Sequence, residues 1–138
     1  MMSHAQGTQD LGKAVLRIVL GALILMHGIS KIIAGPGFVV QVVTQAGLPV
    51  QLAYLVYVGE VVAPVLLIIG LWSRAAALII VVNMLFALSL VHAKQFTEMA
   101  PTGGWALELQ GMYLAGALAV ALLGAGRLSI GGVNGKWN

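Results

Sequence analysis

Four long stretches of this chain are almost free of polar residues. They cover residues 11–33, 51–71, 75–93 and 105–124, each close to the roughly 20 residues a helix needs to cross the hydrocarbon of a bilayer. The breaks between them fall on turn-forming residues: Gly35-Pro36-Gly37, Trp72-Ser73-Arg74, and Pro101-Thr102-Gly103-Gly104. Helix is required over strand, because an open sheet in lipid would leave the amides of its edges unsatisfied. The pattern predicts an all-α integral membrane four-helix bundle over residues 11–130. It is flanked by a disordered polar tail at 1–10 and an irregular glycine-rich tail at 131–138. Residues 38–48 are apolar but too short to span, and read as a re-entrant helix, an interfacial helix or a folded loop. The first stretch, with Lys13 and Arg17 ahead of its apolar run, has some features of a signal peptide. Its length, and the three similar stretches that follow, favour a spanning helix.

Composition sharpens this picture. The chain is 60% hydrophobic and 8% charged, against roughly 45–50% and about 25% in ordinary soluble domains. A soluble chain of 138 residues buries only about two-thirds of its surface and has no place for so much apolar area. The net charge of +3 comes from scattered cations with no basic run, so no nucleic-acid partner is expected. The lack of cysteine excludes disulfides, thiolate metal ligands, an iron–sulfur cluster and self-contained thiol chemistry. With four spans, Lys13, Arg17, Arg74, Arg127 and Lys136 share one side and Lys31 with Lys94 the other. That bias places both termini in the cytoplasm and the protein in the inner, cytoplasmic membrane. Tyr54, Tyr57, Trp72 and Trp105 fall near helix ends, as interfacial aromatics do. Small residues at four-residue spacing, Gly111, Ala115 and Ala119 on the last helix and Gly59 with Ala63 on the second, suit close helix packing. Pro64 should kink the second helix.

Ionisable groups within spans cost about 2.5–3.5 kcal/mol each on insertion scales, so each needs a reason. The candidates are His27, Lys31, Glu60, His92 and Glu108, with Ser30, Asn83, Ser89, Gln110 and Tyr113 as weaker members. At about 1.5 Å per residue, alternating helix directions gather all five in the outer half of the membrane. His27 and Lys31, four apart, share a helix face. Glu108 lies in line with Gly111 and Ala115, whereas Asn83, nine residues before His92, points to the opposite side of its helix and toward another helix or a second copy. Three readings of the cluster stay open. It is an ion network that fixes helix order, a pocket for a small ligand, quinone head group or proton, or a metal site of His27, Glu60, His92 and Glu108. The last has suitable ligand types for zinc, iron or manganese, but no paired spacing, and Lys31 would repel a cation. No nucleophile elbow and no nucleotide-binding glycine fingerprint is present.

The order of these residues is informative. LRIVLGALILMHGISKII carries His27, Gly28 and Lys31; YVGEVVAPVLLIIGLWSRAAAL carries Gly59 and Glu60. ALSLVHAK ends in Val91 and His92 before Lys94, and GGWALELQGMYLAGALAVALLGAGRLSI contains Glu108. Together they resemble the DoxX family of small bacterial and archaeal membrane proteins across about residues 11–130. The resemblance implies a four-helix membrane bundle and a place beside redox enzymes, as an accessory or quinone-interacting subunit of a membrane oxidoreductase. Family members are described as subunits of a terminal quinol oxidase or a thiosulfate:quinone oxidoreductase, and as anchors for assemblies that handle oxidative stress. Without cysteine, haem or flavin motifs, electron transfer here requires a redox partner protein or a diffusible quinone. Two alternatives from other classes are a transporter of a small solute, proton or lipid, and a structural scaffold. Asn83 off the cleft leaves room for a homo-oligomer.

Overall fold

A computed structural model describes residues 3–138. Five helices account for most of it: α1 (His4–Ala34), α2 (Gly37–Gln45), α3 (Gln51–Ile69), α4 (Ser73–Leu90) and α5 (Glu108–Leu123). α1, α3, α4 and α5 form the membrane bundle around a core of Leu20, Ile24, Leu67, Ile80, Met84, Ala117 and Val120. Side chains as large as Ile33 and Met112 lie on the outer surface, uncovered by protein, which is the arrangement lipid rather than water accommodates.

α1, α3 and α4 are long and apolar enough to cross a membrane. α5 has 16 residues, about 24 Å at the helical rise, and so falls short of the length expected for the fourth stretch. Its expected first residues belong instead to a folded loop, pinned by a single bridge between Met99 and Trp105 and by the Trp105 indole donating to the Phe96 carbonyl.

At the other end of the sequence the helix is longer than the hydropathy pattern suggests. α1 begins at His4, where the Ser3 side chain accepts from the Gln6 amide, so residues 4–10 are helical rather than a disordered tail; residues 1 and 2 lie outside the described residues. Segment 38–48 resolves mainly into α2, bracketed by Gly35 and Gly47 at positive φ.

α3 is not a uniform helix. Its middle is a π turn, Val58–Val62, in which the Ala63 amide reaches back to the Val58 carbonyl. Pro64, which has no amide to give, lies just beyond it, and the wider turn absorbs the clash a proline ring makes with the preceding turn. Two glycines set how close the neighbouring helices come. A Cβ at Gly28 of α1 would run into the carbonyl of Glu60, and one at Gly59 of α3 would sit 2.6 Å from Asn83 of α4. The packed face of α5 is Tyr113, Gly116, Ala117 and Val120, rather than the Gly111–Ala115–Ala119 repeat.

The end of the bundle that holds both termini is closed by arginines. Carbonyls in the last turn of a helix have no intrahelical partner. Arg17, almost fully buried, donates to the carbonyls of Leu67 and Ile68 at the end of α3 and to Leu128 in the C-terminal segment, at 2.5, 2.7 and 2.6 Å. Arg74 does the same for Ala121 and Leu122 at the end of α5. The C-terminal segment, irregular as expected, is nevertheless docked. The Asn138 side chain accepts from the amide and hydroxyl of Ser73 and donates to the Gly132 carbonyl, while Asp10 accepts from the Arg127 amide. Replacing Arg17 by Met would leave three carbonyls without a donor. Charged hydrogen bonds contribute about 1.5–3 kcal/mol each, and the unpartnered Arg17 Nε offsets part of that, so a loss of about 2–4 kcal/mol is expected. The expected readout is a lower thermal midpoint in detergent, with faster proteolysis of the C-terminal segment.

Candidate functional site

At the end of the bundle remote from the termini the helices part, and a cavity of about 540 Å³ opens among all five of them. α2 packs against the first turn of α3 and contributes Phe38, Val39, Val42 and Val43 to the lining. Most of the wall is apolar. The polar exceptions are His27, Lys31, Glu60, Asn83, His92, Gln110 and Tyr113.

Lys31 Nζ and Glu60 Oε2 form an ion pair at 2.5 Å, with the carboxylate side chain 8% exposed and the ammonium side chain 29%. The second carboxylate oxygen accepts from Asn83 Nδ2 at 3.3 Å. Glu60 is thus held from α1 and α4 at once, at the π turn where Gly28 and Gly59 let both helices approach. The Tyr57 hydroxyl donates to the Lys31 carbonyl, which ties the end of α1 to α3. An ammonium has three donors; Glu60 takes one, which leaves N–H groups of Lys31 for a further acceptor. Across the cavity, the Tyr113 hydroxyl and His27 Nε2 lie 3.4 Å apart with the rings edge to face. His92 Nδ1 donates to Gln95 Oε1 at 2.6 Å and its Nε2 faces Gln110 Nε2 at 3.4 Å. Gln110 Oε1 is buried without a hydrogen-bond donor.

Of the five residues singled out from the sequence, four line this cavity and Glu108 does not. It is exposed on the first turn of α5, its carboxylate beside Gly104, where it suits the positive end of the helix dipole. Its alignment with Gly111 and Ala115 does not bring it into the cavity, because that stripe is not the packed face of the helix. Asn83 is the reverse case. It is in the cavity wall on Glu60, because α4 ends at Leu90 and His92 begins a 3-10 turn over Ala93–Gln95. A helical phase carried from Asn83 to His92 therefore runs past the end of the helix. With Asn83 inside the bundle, its argument for a second copy falls. No group of three or more His, Asp or Glu residues placed to hold a metal occurs among the described residues. Arg17, read from the sequence only as a topology-setting cation, is buried at the opposite end on carbonyls distant in sequence.

A family model described as DoxX matches residues 12–93, a range that includes His27, Lys31, Glu60, Asn83 and His92. The chain is 31% identical over 122 residues to "Putative oxidoreductase CatD" of Bacillus subtilis (strain 168), an alignment covering 88% of this chain and 85% of that protein. No solved structure matches the chain.

The pairing of Lys31 with Glu60 can be checked by a double-mutant cycle. Lys31→Met alone strands a carboxylate in an apolar wall and should lower stability by about 2 kcal/mol or more. Replacing both residues by Met should recover most of that loss, since an apolar pair often matches a buried ion pair. A single-variant loss under about 1 kcal/mol would instead mark the pair as a solvated surface contact.

Proposed function

The chain belongs to the DoxX family of membrane proteins, and from that premise we propose that it is an accessory, quinone-interacting subunit of a membrane redox assembly. The observation that carries this reading is the Lys31–Glu60–Asn83 array set in the wall of a largely apolar cavity of about 540 Å³. That is a common size for a small-molecule site, and a mostly apolar lining with a few placed polar groups is the usual make-up of one. A quinone head group is a flat ring with oxygen acceptors, and the residues present fit it. Lys31 has donors to spare, and the rest of the wall is hydrocarbon. The name of the Bacillus relative adds support for redox chemistry over an unrelated role.

In this reading Lys31 holds and orients an oxygen of the head group. Glu60, between Lys31 and Asn83, is the residue that stores a proton next to it. Tyr113 and His27 offer a second hydroxyl–imidazole pair, and His27 lies exposed at the cavity's edge, so they suit proton exchange with the exterior. A bound quinone would supply the capacity to take up or release electrons with protons; the electrons come from or go to a partner protein. The buried core between the cavity and Arg17 is apolar, which favours a binding site over a transport path. Because Lys13, Arg17, Arg74, Arg127 and Lys136 all belong to the end with the termini, we assign that end to the cytoplasm and the protein to the cytoplasmic membrane.

Native mass spectrometry of the protein purified gently from its own membrane tests the assignment. A stoichiometric quinone in the wild type, lost in Glu60→Gln together with quinone-linked electron transfer while the thermal midpoint stays within a few degrees, is the expected result. Full electron transfer in Glu60→Gln overturns it. Solute or proton flux in proteoliposomes containing this chain alone would replace it with a transport function.

A further inference from the structure

The cavity does not stop at the polar wall. Along α4, Leu78, Val82 and Phe86 recur at four-residue spacing and so share one face, and all three belong to the cavity lining. They are uncovered by protein, at 44%, 54% and 50% exposure. Leu55 and Val58 of α3 complete the same lining and are also exposed. One continuous space therefore joins the Lys31–Glu60 pair to an apolar slot that opens sideways between α3 and α4.

The local backbone explains the slot. α3 and α4 approach closely where Gly59 meets Asn83, with no room for a Cβ at Gly59. A π turn interrupts α3 at that point, over Val58–Val62, and its first turn, Gln51–Tyr54, packs on α2. The lining of α4 from Leu78 to Leu90 extends about 18 Å at the helical rise, much more than a ring-sized head group needs. None of the slot residues is polar. A ligand confined to the head-group end would leave this length unused, and a water-soluble one would gain nothing from it.

We propose that this slot is a tail-binding subsite, and that the molecule whose head group meets Lys31 and Glu60 is a quinone with a long hydrocarbon or isoprenoid tail, laid between α3 and α4 and admitted from the lipid phase. This rests on the quinone-binding reading and specifies its ligand class and its route. Leu78, Val82 and Phe86 then decide which tails fit, while the polar residues decide which heads do.

The test uses two quinone probes with the same head group, one carrying a ten-carbon tail and one without a tail, titrated into the full-length protein in nanodiscs. Val82→Trp fills the slot, and Val15→Trp, on an exposed face of α1 away from the cavity, controls for an added indole. Overfilling a packed site costs about 1–3 kcal/mol, so Val82→Trp should weaken the tailed probe roughly tenfold or more. The tail-less probe should bind Val82→Trp as it binds the wild type, and Val15→Trp should change neither. Equal weakening of both probes, or no change in either, overturns the tail subsite while leaving head-group binding in place. If neither probe binds the wild type, the quinone reading itself fails and the subsite fails with it. If native mass spectrometry finds a phospholipid that Val82→Trp displaces while both probes bind as before, the slot holds a membrane lipid and the proposal is overturned.

Discussion

A carboxylate inside a bundle of hydrocarbon side chains has to be answered by the protein itself, because lipid offers no donor and no counter-charge. Glu60 is answered from two helices, by the ammonium of Lys31 and the amide of Asn83. Both contacts need helix axes closer than ordinary side chains permit, and the glycines supply that approach. Gly28 lies against the backbone of Glu60, and Gly59 against Asn83. The π turn and Pro64 occur at the same level of α3. The small residues, the irregular turn and the charges are thus parts of one arrangement, and changing any one of them disturbs the others. This also gives physical content to the spacing of His27, Gly28 and Lys31. One residue faces Tyr113, the next allows contact with α3, and the last, one turn on, reaches the carboxylate.

The two ends of the bundle solve different problems. Near the termini, the free carbonyls at the ends of α3 and α5 meet Arg17 and Arg74, where a cation also complements the helix dipole. Docking of Asn138 on Ser73 adds to that closure. Every polar partner there is backbone or a short side chain close at hand, and the apolar core begins directly above it. At the other end the side chains pair with one another around an open space. The closed end holds four helices in fixed order, so the open end can part without the bundle coming apart.

How much of this the sequence disclosed depends on whether a feature is local. Helix positions follow from hydropathy, a property of each segment by itself, and the grouping of His27, Lys31 and Glu60 follows from spacing and alternating helix direction. Facing is less accessible. Glu108 was placed by a repeat of small residues that does not mark the packed side of α5, and Asn83 by a helical phase extended past the end of α4. Arg17 and Asn138 pair with groups fifty or more residues away, and nothing local announces which carbonyl a buried arginine will meet. The start of α1 is not marked by hydropathy: Ser3 is a favoured N-cap residue, but it precedes mostly polar, exposed residues that are helical through their own backbone and not through burial.

The open end also bears on whether the charged pair is only a staple. Buried ion pairs are weak evidence of stabilisation, since removing two charges from water costs about as much as their attraction returns. If fixing helix order were the whole role of Lys31 and Glu60, the surrounding side chains would be expected to close on them, because empty volume forfeits dispersion contacts that packed interiors keep. The opposite is found. α2 and the first turn of α3 pack on each other and leave the pair on the wall of a cavity of about 540 Å³. Lys31 is turned partly into that space with donors unused, and Gln110, elsewhere in the same lining, has a buried acceptor without a donor. A staple requires neither the cavity nor the spare donors, whereas a site for a polar head on an apolar tail requires both.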